Sequence, residues 1–283
     1  MNQIKDIEDY AINNTNHLFR HEIKPTKAEE NYLLDLITTL NQYDETTFNE
    51  KDWKAIHNNL KKIHKVVPGV ITLNYLYKYN LTNNKIKSNK LFEKYNIRNE
   101  TRTTSGITQI TVLTSPRPNG QTFTCEHNCY YCPNEPAHEG NNYTPQPRSY
   151  LFNEPAVRRA NQNDFDATWQ FWHRATGLEL CGLPIDKVEL YILGGTWGSY
   201  PEDYRIKFVR DLYYAANTYY HPKDNMRERL SLEEEIFINQ TTSVRIIGLT
   251  METRPDHVNA DEIKLLRRMN CTRVQIGVQH LDY

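Results

Sequence analysis

Three cysteines fall within eight residues, Cys125-Glu-His-Asn-Cys129-Tyr-Tyr-Cys132, and are followed at once by Pro133-Asn134-Glu135-Pro136. Three residues and then two separate the thiols, so one short loop can wrap three sulfurs around a single inorganic centre. No fourth thiol in that loop closes the site. Iron–sulfur clusters are held by thiolates, and a cubane given only three protein sulfurs keeps one iron open to an outside ligand. The alternative is a zinc ion with His127 or His138 completing a Cys3His tetrahedron, although structural zinc motifs usually come as two separated ligand pairs. A disulfide framework fits poorly, because five cysteines is an odd number and three so close together cannot all pair. Cys181 and Cys271 stand singly in apolar contexts and read as small core residues.

Two further segments place reactive or permissive groups where strands end. Gly194-Gly195-Thr196 follows the apolar run Lys187 to Leu193, and two residues without Cβ atoms let backbone groups approach a ligand closely; a plain turn is the alternative. Thr250-Met-Glu252-Thr-Arg254-Pro255-Asp256 follows Val244 to Leu249 and sets a carboxylate and a guanidinium at a strand exit. Those charges suit a polar ligand, or else form a structural Glu252–Arg254 ion pair.

The elements that must carry these loops alternate strand and helix beyond residue 105. Ile107–Leu113, Lys187–Leu193, Val244–Leu249 and Arg273–Val278 read as strands. Between them come a helix from Glu154 to about Leu180, with Phe165, Trp169, Trp172 and Ala175 at helical spacing, a second opened by a Ser199-x-x-Glu202 capping box with Pro201 at its first position, and a third opened by Ser231-x-x-Glu234. Ile263, Leu266 and Met269 mark a fourth. Four such strands in series predict an α/β fold with a parallel sheet and right-handed crossovers, whose ligands bind at the carboxyl ends of the strands. Residues 1–105 are expected to be a separate helical region. Thr26-x-x-Glu29 opens a helix with Leu33, Leu36, Ile37 and Leu40 buried, and Thr47-x-x-Glu50 opens another with Trp53, Ile56, Leu60 and Ile63. Pro68-Gly69 ends that helix, and two shorter helical stretches follow, around Ile71 to Tyr79 and Asn89 to Tyr95.

Composition bounds the class. The 283 residues are 38% hydrophobic, enough for a core, with a formal net charge of −1. No apolar stretch approaches the ~20 residues needed to span a bilayer, and the first residues lack the apolar run of a signal peptide. A reducing, cytoplasmic setting without membrane attachment is the expectation. The near-zero net charge conceals segregation: residues 51–102 carry 12 Lys or Arg against 3 Asp or Glu, whereas residues 1–50 carry 4 against 10. Lys61, Lys62, Lys65, Lys78, Lys85, Lys87, Lys90 and Lys94 are interleaved with Tyr75, Tyr77, Tyr79 and Tyr95. Cations for phosphates and aromatic faces for unpaired bases suit an RNA-binding surface; a solvated lysine face with tyrosines filling core is the alternative.

The cysteine spacing resembles the signature of the radical S-adenosylmethionine superfamily. The match extends to Arg102-Thr-Thr-Ser105-Gly106, Ser149-Tyr150, Glu154-Pro155, Arg159-Ala160, Lys187-Val-Glu through Gly194-Gly195-Thr196, Pro201-Glu-Asp-Tyr204-Arg205, Glu252-Thr-Arg254-Pro255-Asp256, and Cys271-Thr-Arg273 through Ile276-Gly-Val-Gln279. Together with the cysteine loop these stretches, in this order, resemble the catalytic subunit of Elongator. The resemblance covers that family's N-terminal RNA-binding region and the first part of its radical domain. It implies a radical S-adenosylmethionine enzyme in which Cys125, Cys129 and Cys132 ligate a [4Fe-4S] cluster. Gly194, Gly195 and Thr196 would contact the methionine part of S-adenosylmethionine, with Glu252 and Arg254 lining the active centre. It further implies that a 5′-deoxyadenosyl radical draws hydrogen from acetyl-CoA and that a carboxymethyl group ends on C5 of the wobble uridine of tRNA. Lys61, Lys62, Lys65, Lys85, Lys87 and Lys90 would hold the anticodon stem-loop. A non-catalytic tRNA-binding or assembly subunit, and a radical enzyme of another substrate class, are the alternative readings.

The chain departs from that family at Pro133-Asn134-Glu135-Pro136, where Pro-Gly-Gly-Pro is typical; a stiffer and more acidic loop beside the cofactor is expected. Gln275 and His280 replace a usual Glu and Ser. The chain ends at Tyr283, so residues 106–283 are expected to form an incomplete partial (β/α) barrel, truncated after its fourth strand. Further strands and an acetyltransferase-like domain, on the same or another chain, and Elongator-like subunits are the partners implied.

Overall fold

The computed structural model describes residues 23–97, 104–221 and 225–278; Arg102, Gln279, His280 and Tyr283 lie outside the described residues. The chain divides into two compact units. One holds the described residues up to Gly106 together with Thr176–Pro184, and the other holds Ile107–Ala175 and the described residues from Ile185 onward.

The first unit is helical. Helix α1, Lys27–Leu40, starts where Thr26 and Glu29 satisfy each other's amides, and it buries Tyr32, Leu33, Leu36, Ile37 and Leu40. Helix α2, Glu50–His64, is capped not by Thr47 but by Asn49, which pairs with Asp52 in its own capping box. Asp44 draws the Thr46 amide and hydroxyl into a turn that includes Thr47, and the helix therefore begins two residues later than the Thr47 signal suggests. Its buried stripe is Ile56 and Leu60, while Ile63 is 60% exposed instead of lying in the core. Gly69 caps helix α3, Val70–Thr82, and a short turn Lys90–Phe92 runs on into a π-helix, Glu93–Ile97.

His57 of α2 is enclosed in this core, with Nδ1 2.7 Å from the Tyr32 hydroxyl and Nε2 buried without a partner. Burial, reinforced by the Lys61 charge, pushes its pKa down to about 4. An unfolded chain binds this proton below about 6.5 and the folded one only near 4, so stability is lost as pH falls through that window. We expect His57 to stay neutral at pH 6 in an NMR titration. Unfolding free energy should fall by on the order of 2 kcal/mol between those limits, and by less in His57→Gln.

The second unit is an α/β sheet whose four strands, β1 Thr108–Leu113, β2 Lys187–Leu193, β3 Arg245–Thr253 and β4 Arg273–Ile276, lie in sequence order and pair in parallel throughout. Helices α4 Pro155–Gln162 and α5 Ala167–Leu180 connect β1 to β2, α6 Glu202–Asn217 and α7 Leu232–Asn239 connect β2 to β3, and α8 Ala260–Arg268 precedes β4. The single helix expected over 154–180 is broken. Asp164 and Phe165 adopt left-handed backbone, φ 50° and 55°, in the run Asn161-Gln-Asn163-Asp164, whose short polar side chains favour such turns. Phe165 thereby leaves helical spacing and packs with Leu113, Val157 and Ala160, while Trp169 is 42% exposed. The Ser199 capping box is likewise absent. Ser199 closes a 3-10 turn, Pro201 is itself the cap residue, and α6 starts at Glu202 without a side-chain cap.

Alternation assigns the two faces of the sheet. Val188, Leu190, Ile192, Ile246, Leu249 and Met251 form a buried apolar row. Gln109, Glu189, Tyr191 and Arg273 form a polar row on the other face, joined by the Arg273–Glu189 ion pair at 3.0 Å and the Arg273–Tyr191 hydrogen bond at 3.2 Å. The two rows fall out of step at a bulge, where Val188 pairs with Ile246 but Glu189 pairs with Gly248, leaving Ile247 extra. Strand β3 also runs further than the sequence suggests, so Glu252 belongs to a strand and not to a loop. Among the described residues no helix is long and apolar enough to cross a membrane.

Candidate active site at the carboxyl edge of the sheet

All of the carboxyl-terminal loops of this unit converge on one cavity of about 450 Å³, to which the cysteine loop, Gly194-Gly195-Thr196, Glu252 to Arg254 and Gln275 to Gly277 contribute. Each thiol meets a different wall. Cys125 Sγ lies 3.1 Å from Thr196 Oγ1, Cys132 Sγ lies 2.7 Å from Ser149 Oγ, and Arg254 Nη1 donates to Cys129 Sγ at 3.2 Å. Cys181 and Cys271 are not part of the cavity lining.

The return of the cysteine loop is fixed by its own polar groups. The Glu135 carboxylate accepts from the Phe152 amide at 2.8 Å, from Asn141 at 3.2 Å and pairs with His138 at 3.0 Å. Burial pushes this carboxyl up, but those donors outweigh it and hold it below the usual range. Glu135 is turned to these donors and does not line the cavity, whereas Pro133 of the same loop does. His138 is engaged twice, with Glu135 and with the Gly140 amide, and so cannot complete a Cys3His zinc site as placed. His127 faces His257, with 3.1 Å between their Nε2 atoms.

The two glycines after β2 also have a packing reason. A Cβ on Gly195 would lie 1.9 Å from the Thr124 carbonyl oxygen, and one on Gly194, at φ 153°, would lie 1.9 Å from Thr114 Oγ1. Their bareness lets the β2 exit press against Thr114 at the end of β1 and against Thr124 at the start of the cysteine loop, and both glycines also line the cavity. Tyr200 completes this latch. Its hydroxyl oxygen accepts from the Gly195 amide and from Thr114 Oγ1, and Tyr204 accepts from the Ser115 amide at 2.7 Å.

Glu252 and Arg254 are not paired with each other. The Tyr150 hydroxyl donates to Glu252 Oε2 at 2.6 Å, and burial raises the Glu252 pKa although that hydrogen bond opposes it. Arg254 forms a forked pair with Asp256, 2.7 Å at its shortest, which holds the Asp256 carboxyl below its usual range. Arg148 is a cavity residue that the sequence does not single out, a lone charge in a proline-rich segment with no spacing signal. It donates to Asn128 at 2.6 Å, and its Nε is buried without a protein partner, as is Thr253 Oγ1. A cavity that offers three thiols, unsatisfied donors and a carboxylate fits a metal–sulfur centre with an amino-acid ligand on its open side. A cluster interposes several irons between its thiolates, and each of the three sulfurs here stands at its own wall of the cavity.

The lysines expected to bind RNA belong to the helical unit. Lys61 and Lys62 lie in the last turn of α2, and Lys65 caps it in left-handed conformation. Lys85, Lys87 and Lys90 are exposed, and Lys90 reaches Glu45 at 3.4 Å. Two of the interleaved tyrosines are structural: Tyr77 is buried and donates to Glu93, and Tyr95 stacks on Trp53. Tyr75 and Tyr79 stack on each other, with Lys85 over the 41%-exposed Tyr79 ring. Lys78 is enclosed, and burial lowers its pKa despite the nearby Glu179.

Fold and site thus define a class, a parallel α/β sheet that presents three thiols and a charged pocket at its carboxyl edge. No protein-family model matches the chain. It is 38% identical over 181 residues to a tRNA uridine(34) acetyltransferase of Dehalococcoides mccartyi, covering 64% of this chain and 35% of that protein. It is 31% identical over 244 residues to the protein of the same name from Methanocaldococcus infernus, covering 86% and 42%. Elongator complex protein 3 of Dictyostelium discoideum is 33% identical over 178 residues, covering 63% and 30%. Among solved structures, Methanocaldococcus infernus Elp3 with its N-terminus (1–46) deleted matches 62% of this chain and 30% of that one, with 28% identity and a TM-score of 0.44. By sequence the chain is related to these tRNA uridine(34) acetyltransferases and to Elongator complex protein 3. It spans between 30% and 42% of the length of these curated relatives.

Proposed function

We propose that this chain is the RNA-binding and cluster-bearing part of a radical S-adenosylmethionine enzyme that places an acetyl-CoA-derived carboxymethyl group on C5 of the wobble uridine of tRNA. The observation that carries the reading is the convergence of Cys125, Cys129 and Cys132 on one cavity, each against its own polar wall, in a chain related to tRNA-modifying acetyltransferases. In this proposal the three cysteines hold a [4Fe-4S] cluster, which would supply an electron to S-adenosylmethionine bound at its open iron. Gly194, Gly195 and Thr196 would offer backbone groups to the methionine part, and Arg148 Nε and Thr253 Oγ1 are donors in want of an acceptor there. Arg254 would keep its hydrogen bond to the Cys129 sulfur, which would orient that ligand and tune the centre. Glu252, held by Tyr150 and favoured toward its protonated form by burial, would accept or return a proton at the reacting base.

The RNA side of the proposal rests on the partly buried Lys61 and the exposed Lys62, Lys65, Lys85, Lys87 and Lys90. Charge reversal at Lys61, Lys62 and Lys65, or at Lys85, Lys87 and Lys90, is expected to weaken tRNA binding for all sequences alike. The slope of log affinity against log salt should fall by about three, near one for each phosphate no longer neutralised. Filter binding at several salt concentrations reads both quantities. Unchanged affinity in both triple variants would return these lysines to a solvated face.

A further inference from the structure

A second group of metal-ligating side chains lies beside the thiols. Glu126 and His127, from between the first two cysteines, meet His257 from the 3-10 turn Pro255–His257 that follows β3. His127 Nε2 and His257 Nε2 are 3.1 Å apart, His257 Nε2 and Glu126 Oε1 3.2 Å, and His127 Nε2 and Glu126 Oε1 3.9 Å. An ion bonded to nitrogen and oxygen at about 2.0–2.1 Å in a tetrahedron spaces its ligand atoms roughly 3.4 Å apart, and the three edges bracket that value. The two imidazole planes stand at 89°, so both Nε2 lone pairs can be directed at one point without the rings colliding.

Packing around His257 favours the same arrangement. Its side chain is only 12% exposed, and a Cβ on Gly198 would lie 2.7 Å from its Nδ1, so the glycine leaves the space the imidazole fills. Asp256 Oδ2 lies 3.6 Å from His127 Nε2 but is held by Arg254, which in turn touches Cys129. This leaves three ligands with one position open, and it couples the group to the cysteine loop through Asp256 and Arg254.

We propose that Glu126, His127 and His257 bind a Zn2+-class divalent cation, separate from the three-thiol centre, which clamps the cysteine loop to the exit of β3. Two imidazoles and one carboxylate suit zinc, nickel or copper over magnesium or calcium. His127 thus serves a site other than the Cys3His tetrahedron considered from the sequence.

The test separates this site from the thiols. In the full chain with Cys125, Cys129 and Cys132 all replaced by Ser, calorimetric titration with Zn2+ should give one equivalent. Co2+ should give the visible bands of a nitrogen and oxygen site without sulfur charge-transfer absorption. His127→Ala and His257→Ala should weaken binding on the order of 100-fold. Glu126→Gln, an exposed and conservative change, should weaken it measurably with an unaltered circular dichroism spectrum, as should Gly198→Ala by displacing His257. A second measurement covers a serine variant that does not fold: the native chain loaded with iron and sulfide should bind one further zinc, more weakly in Glu126→Gln. In the serine background, zinc uptake that disappears with the thiols, or that is unchanged in Glu126→Gln and His257→Ala, would overturn the proposal, and neither result there depends on whether the three-thiol centre holds iron.

Discussion

Anaerobic loading with iron and sulfide is expected to give about four irons per chain and broad visible absorbance, and replacing Cys125, Cys129 or Cys132 by Ala is expected to remove nearly all of both. The effect should be that large because each sulfur approaches the cavity from a different wall and no other thiol lines it to substitute. Cys181→Ala and Cys271→Ala should load normally. Cys181 sits beside Asn74 in the helical unit, and Cys271 is buried with its sulfur on the Arg273 carbonyl. The loaded protein should release 5′-deoxyadenosine from S-adenosylmethionine under a strong reductant, and the three cysteine variants should not. Zinc without iron after anaerobic purification would remove the cluster from the proposed function.

The second large effect is expected at Gly195. An added Cβ would fall 1.9 Å from a backbone oxygen, 2.5 Å from its carbon and 2.8 Å from the Thr124 Cβ, and backbone cannot swing aside as a flexible side chain would. Gly195→Ala should therefore cost about 3 kcal/mol, the upper part of the range for overpacking, and lower the melting temperature by roughly 6–12 °C. Because Thr124 directly precedes Cys125, iron loading should fall with it. Gly69→Ala is the control. A Cβ there meets only Thr72 Oγ1 at 3.7 Å, and the change should cost under about 1 kcal/mol. Equal melting temperatures for the two variants would mean that the β2 exit does not press on the cysteine loop as described.

The sheet was legible in the sequence because its signals are local. Apolar alternation marked β1 and β2 nearly to the residue, and Thr26-Glu29 and Ser231-Glu234 closed as capping boxes. Where two local rules competed, the pattern was ambiguous. Asp44 drew Thr46 and Thr47 into a turn where Thr47 was expected to open a helix, and the Asn161 to Asp164 run broke a helix that its apolar spacing would have continued. Groups that gain meaning only from tertiary neighbours carried no sequence signal. Arg148 is one lone cation, and Tyr200 is one tyrosine among 19 until its hydroxyl is seen to join the exits of β1 and β2. The glycine pair was legible as a special backbone, but the packing of Gly194 on Thr114 and of Gly195 on a carbonyl 71 residues away at Thr124 was not.

The extra residue at Ile247 carries a consequence for how the site is encoded. After it, Met251 shares the buried face with Ile192, and Glu252 turns to the opposite face beside Gln275. A strand alternates with period two, yet Ile246 and Leu249 share the buried face three positions apart, because the bulge absorbs Ile247 and hands the alternation on unbroken. Met251 and Glu252 therefore keep their faces whether or not the extra residue is present. Deleting Ile247 should regularise the ladder and leave Glu252 beside Gln275, so this stretch is a place where the strand can change its length by one without moving the carboxylate.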